Sequence, residues 1–276
     1  YLRSGVMNKG VFEMSEEGMP QGGPLSPLLS NIMLNELDKE LEHRGLPFVR
    51  YADDSMIFCK SERAAMRVKE SITRYIEGEL YLKVNKEKTV VSYVSGVKYL
   101  GYSFYVSQGK CQLAVHPKAK AKMKAKLKEL TSRSNGWGYA KRKQKLTEYI
   151  RGWVGYYHLA NMKRLLMDTD SWLRRRIRMR IWKAWKLPKT RIKNLIRCGI
   201  NKHDARRLGY VKGYWRVSSS IIMQRAASSQ KLQYAGYPTL MGSYLEWHPK
   251  KEPPYAEPHV RWCERSVNTK IGDKHL

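Results

Sequence analysis

Cysteine is scarce in this chain, with four among 276 residues. Cys59, Cys111, Cys198 and Cys263 stand far apart and form no Cys-x-x-Cys pair. Neither a disulfide framework nor a structural zinc site is indicated, so a reducing compartment fits best. His248, His259 and Cys263 also lack the paired-ligand spacing of a zinc-supported nuclease. Long apolar runs are missing as well. No stretch of roughly 18 apolar residues occurs, and no secretory leader is visible. These absences predict a soluble, cytoplasmic chain with no membrane partner. Acidic residues are the third shortage, 24 Asp and Glu against 53 Lys and Arg, for a net charge of +29.

That shortage is local. Residues 1–108 hold 14 basic and 14 acidic side chains, residues 109–235 hold 33 and 5, and residues 236–276 hold 6 and 5. Nearly the whole positive excess therefore lies in one middle segment, the electrostatic footprint of a protein that binds a polyanion, nucleic acid first among them. Trp and Tyr interleaved with the charges argue against a disordered basic tail. A helix lying on a membrane surface needs a cleaner apolar face. The length allows one large domain or two modest ones.

Taken in order, residues 10–14 carry weak strand signals around an Asn8-Lys9-Gly10 turn. A loop dense in Gly and Pro follows from Glu17 to Pro27, in which the prolines forbid a helix interior and the glycines let backbone pass close to a ligand. Leu28, Leu29, Ile32, Met33, Leu37 and Leu41 then recur near helical spacing, with Pro27 suited to the first turn and Gly45-Leu46-Pro47 as the stop. Phe48 to Arg50 and Ser55 to Cys59 read as the arms of a hairpin carrying Asp53 and Asp54 at its tip. A second amphipathic helix presents Ala64, Ala65, Val68, Ile72, Tyr75 and Ile76 and closes at Gly78. Residues 80–85, 88–91 and 97–105 read as short strands, the last running into a hairpin around Ser107-Gln108-Gly109-Lys110. This order predicts an α+β domain with helices on one face of an antiparallel sheet.

From Pro117 the pattern is basic. Lys alternates over 118–128 in a strand-like rhythm, but Ala, Lys, Met and Leu are strong helix formers, and Met123, Leu127 and Leu130 make an apolar stripe. A second helix is expected over about 143–162, and a third after Asp170-Ser171 as N-cap candidates, ended by Pro188. Three such helices joined by short loops predict a small bundle. Shorter elements follow at 192–198 and 204–208, and the Pro-rich end reads as loosely structured.

Four ordered motifs give the chain a family resemblance. They are Pro20-Gln21-Gly22-Gly23-Pro24-Leu25-Ser26-Pro27, Tyr51-Ala52-Asp53-Asp54, Leu82-Lys83-Val84-Asn85-Lys86-Glu87-Lys88-Thr89 and Tyr99-Leu100-Gly101-Tyr102. Together they resemble the C-terminal half of a bacterial group II intron-encoded reverse transcriptase, or maturase, and residues 117–185 resemble its thumb, domain X. The resemblance implies a partial polymerase palm over 1–115, a basic helical thumb over 116–200, a small helical extension over 201–247 and a tail over 248–276. It also implies Mg2+ or Mn2+ as cofactor. The partners would be group II intron RNA, an RNA template with a DNA primer, and deoxynucleoside triphosphates.

Residue roles follow by the same resemblance. Asp53 would bind metal with Asp54 in support, because paired divalent ions act on the nucleotide phosphates and the primer 3′ hydroxyl. Tyr51 and Ala52 would line the nucleotide and primer side, and Pro20, Gln21 and Gly22 would lie against nucleotide and template. Lys88 would assist the pyrophosphate leaving group, although a solvated Lys looks the same. Leu100 and Gly101 would hold the primer strand. Lys141, Arg142, Lys143, Arg174, Arg175 and Arg178 would contact RNA. Trp137, Tyr139, Trp153, Tyr156, Tyr157, Trp172, Trp182 and Trp185 are open to two readings, stacking on unpaired bases or core packing, with the stripe positions Trp153 and Trp185 favouring core. One family element is missing, a carboxylate on a strand ahead of the Gln-Gly-Gly loop. Glu13, Glu16 and Glu17 do not fit it, so the chain is expected to be a fragment with half a metal site and no polymerase activity by itself. A splicing cofactor that only binds RNA is the competing expectation.

Overall fold

The computed structural model describes residues 6–8, 11–13, 25–132 and 134–248. Pro20, Gln21, Gly22 and the 249–276 tail lie outside the described residues. The chain is α+β, as expected, and divides into two compact units, the first ending at Val97 and the second beginning at Lys98.

In the first unit, β1 (Val6–Asn8) pairs antiparallel with β2 (Val11–Glu13), Asn8 opposite Val11. Helix α1 (Ser26–His43) has Pro27 in its first turn, where no amide hydrogen is needed. It stops where Gly45 takes a φ of +63° and Leu46 N–H donates to the Leu41 carbonyl at 3.0 Å. Only the C-terminal half of its apolar stripe is covered. Leu37 and Leu41 are buried with Ile72 of α2 (Glu62–Gly78), whereas Leu28, Ile32 and Met33 are exposed. Ser61 caps α2, its hydroxyl accepting from Ala64 N–H at 3.2 Å. Strands β3 (Phe48–Tyr51) and β4 (Asp54–Ile57) form the expected hairpin.

The strands expected over 80–85 and 88–91 do not form. Asn85 builds a turn instead. Its backbone carbonyl accepts from Thr89 N–H at 3.0 Å, and its side-chain oxygen accepts from Lys88 N–H at 3.1 Å. Asn competes for backbone donors in this way, and an apolar extended segment without a paired edge does not become a strand.

The second unit opens with a three-stranded antiparallel meander, β5 (Lys98–Tyr99), β6 (Tyr102–Ser107) and β7 (Lys110–Val115). The described strands thus make three small sheets rather than the one expected. Gln108 and Gly109 both have positive φ, +52° and +73°, as a two-residue hairpin loop of the mirror-image type requires. Helix α3 (Pro117–Leu130) resolves the alternating Lys run as helix, with Met123, Leu127 and Leu130 buried. Helix α4 (Tyr139–Tyr157) begins and ends earlier than 143–162.

Helix α5 (Lys163–Ala184) runs unbroken through Asp170 and Ser171, so the expected cap there is wrong. Asp170 is buried, and its carboxylate accepts from the backbone N–H groups of Leu240 at 2.8 Å and Met241 at 3.0 Å. It therefore caps a different helix, α11 (Leu240–Trp247), seventy residues away. Pro188 opens α6 (Pro188–Arg197) rather than ending α5. Helices α7 (Lys202–Gly209), α8 (Tyr214–Ser219), α9 (Ile221–Ala226) and α10 (Ser229–Tyr234) follow. One apolar core runs through the whole unit. Val115, Leu127, Leu146, Leu166 and Trp182 share it with Val217, Met223, Leu232, Leu240 and Tyr244.

Candidate functional site

The β3–β4 register sets Tyr51 opposite Asp54 and leaves Ala52 and Asp53 as a two-residue loop. Ala52 has a φ of +53°, the left-handed conformation that tight hairpin loops need and that a side chain makes costly. Tyr51, Ala52, Asp53 and Asp54 are all exposed at the tip.

Arg50 anchors this tip. Its guanidinium donates to Asp38 on α1 through Nε at 2.8 Å and Nη2 at 2.5 Å, and through Nη1 to Asn31 Oδ1 at 2.9 Å and to the Ala52 carbonyl at 3.0 Å. One side chain thus ties the strand, the strained loop residue and the neighbouring helix together. A bidentate pair of this kind is stiffer than a point-charge contact. The apolar alternation of the hairpin gives no sign of this role, and Asp38 reads in sequence as one more charge on a solvated helix face. Lys88 sits exposed in the Asn85 turn.

The Leu100–Gly101 pair lies in the second unit, as the loop between β5 and β6. Both residues have positive φ, +49° and +83°. Two tyrosines at the end of α4 hold the loop. Tyr156 Oη donates to the Leu100 carbonyl at 2.9 Å, and Tyr102 Oη donates to the Tyr156 carbonyl at 2.5 Å. A Cβ at position 101 would overlap the Tyr157 hydroxyl, so glycine is required by space as well as by φ. Burial and the nearby Tyr156 and Tyr157 push the Tyr102 phenol far up, leaving it a hydrogen-bond donor at any ordinary pH.

The six basic residues expected to contact RNA separate into two groups. Arg142 is 2% exposed, turned inward to donate to Asn135 Oδ1 at 2.7 Å. Arg178 is also buried, its Nε donating to the Ala227 carbonyl at 3.0 Å. Burial holds both guanidinium groups below the usual arginine range, assisted by the Arg180 charge at Arg142 and by Arg174 and Arg175 at Arg178. Helical spacing alone does not reveal that these two positions face the core. Lys141 is exposed, with its ammonium 5.7 Å from the Trp137 ring centre. Lys143 is half-buried and donates to the Ala235 carbonyl at 2.8 Å. Arg174 and Arg175 are half-buried, and Arg175 lies over the Trp215 ring at 4.6 Å. Among the aromatic candidates, Trp182 is fully buried, Trp137, Trp153, Tyr157, Trp172 and Trp185 pack partly buried against the core, and Tyr139 and Tyr156 are exposed.

Comparison with known families fits these two regions. Residues 2–104 match the reverse transcriptase (RNA-dependent DNA polymerase) family, and residues 120–199 match the group II intron maturase-specific domain. In that order the two matches resemble the layout of group II intron-type reverse transcriptases and maturases. It is similar to protein YkfC of Escherichia coli strain K12, 32% identical over 37% of this chain and 36% of that protein. It also resembles the group II intron-encoded protein LtrA of Lactococcus lactis, 25% identical over 38% of this chain and 28% of LtrA. The retron Ec86 reverse transcriptase of Escherichia coli is 33% identical over 27% of this chain and 24% of its own length. The chain thus matches about a third or less of each relative.

Reverse transcriptases of this family act with divalent metals, and Asp53 and Asp54 offer the hard oxygen donors that Mg2+ takes. Among the described residues, no group of three or more His, Cys, Asp or Glu side chains is placed to hold a metal ion. No helix among them is long and apolar enough to cross a membrane.

Proposed function

We propose that this chain supplies the primer-end part of an RNA-directed DNA polymerase site together with the RNA-binding helices of a maturase, serving a group II intron. The observation that carries the polymerase reading is the β3–β4 register, with two adjacent carboxylates on a tip braced by Arg50. In this reading Asp53 and Asp54 are ligands of Mg2+ or Mn2+, completed by a further carboxylate from outside the described residues. The metal would supply charge neutralisation on the nucleotide phosphates. The protein's own groups orient and hold. Tyr51 and Ala52 face nucleotide and primer, Pro20, Gln21 and Gly22 bear on the template, Lys88 neutralises departing pyrophosphate, and the Leu100–Gly101 loop bears on the primer strand.

RNA contact belongs to the exposed and half-exposed cations, Lys141, Lys143, Arg174 and Arg175, on the basic helices. Arg142 and Arg178 act from the interior by shaping that surface. The polymerase part extends through β7 and the thumb from α3 to α11, a division supported by the gap between the two family matches.

The strongly basic segment 109–235, which can bind RNA without the carboxylate tip, supports a second reading, a splicing cofactor that binds intron RNA and does no nucleotidyl transfer. Primer extension and intron-RNA binding, both measured on the enzyme completed by the segment that brings the further carboxylate, separate the two. Under the polymerase reading, Asp53→Ala abolishes extension and leaves RNA affinity within about twofold, since an exposed tip residue carries no fold energy. Extension that survives Asp53→Ala rules the metal role out. RNA binding with no extension, even once the further carboxylate is supplied, selects the splicing cofactor.

A further inference from the structure

The match to the maturase-specific domain ends at residue 199, and the stretch of sequence just beyond it is basic and carries exposed aromatics. Between Asp204 and Glu246 no acidic residue occurs, while Arg206, Lys212 and Arg216 are all exposed. Two large aromatics sit among them, Tyr210 at 67% exposure and Trp215 at 53%. Trp215 lies in the first turn of α8 against Arg175 of α5, whose guanidinium lies 4.6 Å from the indole centre. A core tryptophan would bury far more of its surface, as Trp182 does. An indole kept half in water beside a stacked cation has its orientation set and its remaining area unused.

We infer that the Trp215–Arg175 pair is a stacking site for an unpaired base of single-stranded nucleic acid, with Arg206, Lys212 and Arg216 contacting the flanking phosphates. The chemistry requires an unpaired base, because a duplex hides its base faces while any splayed-out base offers one. Tyr210 supplies a second aromatic surface within five residues. The inference rests on the RNA-binding reading above and extends it to helices outside the matched domain.

The test uses the full chain and fluorescence anisotropy with a labelled short oligoadenylate, the same sequence as DNA, an abasic strand of equal phosphate number, and the RNA paired into a duplex. The unaltered chain should bind the base-bearing strands more tightly than the abasic one. Trp215→Ala should weaken base-bearing strands by about tenfold, the scale of one lost stack, while leaving the abasic strand and the salt slope unchanged. Trp215→Phe, which keeps an aromatic ring, should lose less than Trp215→Ala. Equal losses on RNA and DNA assign any single strand as ligand, and a loss on RNA alone assigns RNA. The inference is overturned if the unaltered chain does not distinguish base-bearing from abasic strands, or if Trp215→Ala weakens all probes, duplex included, equally. If the unaltered chain binds no strand at all, the broader RNA-binding reading fails with it. Normal binding with an indifferent Trp215 sinks this inference alone.

Discussion

Arg50 organises the residue scale. It stands in a strand of otherwise apolar and aromatic residues, yet its guanidinium makes the contacts that keep the carboxylate tip in place. The Arg50 and Asp38 side chains are 13% and 21% exposed, so removing one strands the other in a largely desolvated place. Arg50→Ala should therefore destabilise the protein by about 2 kcal/mol, below the full cost of breaking a buried pair because some solvent screening remains. Arg50→Lys should recover little of that, since an ammonium cannot span Asp38, Asn31 and the Ala52 carbonyl together. Urea unfolding of the three proteins measures both effects. Gly101 gives a second residue-level expectation. With a φ of +83° and the Tyr157 hydroxyl where a Cβ would sit, Gly101→Ala should cost about 1–2 kcal/mol, and Tyr157→Phe in the same chain should return part of it. A double-mutant cycle in denaturant reads the coupling. The Asp-Asp tip and the Leu-Gly loop are legible in sequence because motif order is a local signal. Arg50, Asp38 and Tyr156 are not, because their roles exist only once distant elements meet.

At the scale of elements, the sequence reads best where one segment determines itself. The stops of α1 and α2, the β3–β4 and β6–β7 hairpins and the apolar stripe of α3 all follow from local chemistry. Asp170 shows the limit. An Asp-Ser pair ahead of an apolar periodic run is the signature of a helix start, yet α5 passes through it, and the carboxylate caps α11 instead. The cap is supplied across the fold, and nothing near Asp170 in the chain announces it. Burial raises the Asp170 carboxyl above its ordinary 3.8, against the opposing pull of the Leu240 and Met241 amides. The sign follows from proton counts. Between 3.8 and the raised native value the folded chain binds more protons than the unfolded one, so this group's contribution to stability falls as pH rises through that window. Asp170→Asn removes the titration, so the stability difference between the original protein and this variant should shift against the original as pH rises from about 4. An opposite slope, from chemical unfolding at a series of pH values, would mean that the amide bonds outweigh desolvation. Asp170→Ala leaves the two α11 amides without their acceptor and should cost about 2–3 kcal/mol near neutral pH, and more below the titration window.

For the whole molecule, charge is the feature that composition foretells best and residue numbers foretell worst. The net of +28 over residues 109–235 predicts a polyanion ligand, and the family matches agree with that. Which cations face the ligand does not follow from the count. Arg142 and Arg178 belong to the core, each donating to an interior oxygen, whereas Lys141 is exposed and Arg175 half-exposed. The two pairs should therefore fail differently. Replacing Lys141 and Arg175 by Ala should leave the unfolding midpoint nearly unchanged and weaken intron-RNA binding. It should also flatten the plot of log affinity against log salt by about 0.7 for each single-strand phosphate that is no longer neutralised. Replacing Arg142 or Arg178 by Ala should lower stability by about 2–4 kcal/mol, because each removes a packed side chain and leaves Asn135 or the Ala227 carbonyl unsatisfied. The salt slope of the fraction still folded should not change, since neither guanidinium meets solvent phosphates. A flattened slope in Arg142→Ala would mean that the helix opens to bring that cation to the RNA. Unchanged affinity in the Lys141 and Arg175 double variant would move the RNA-binding face away from the α4–α5 surface altogether.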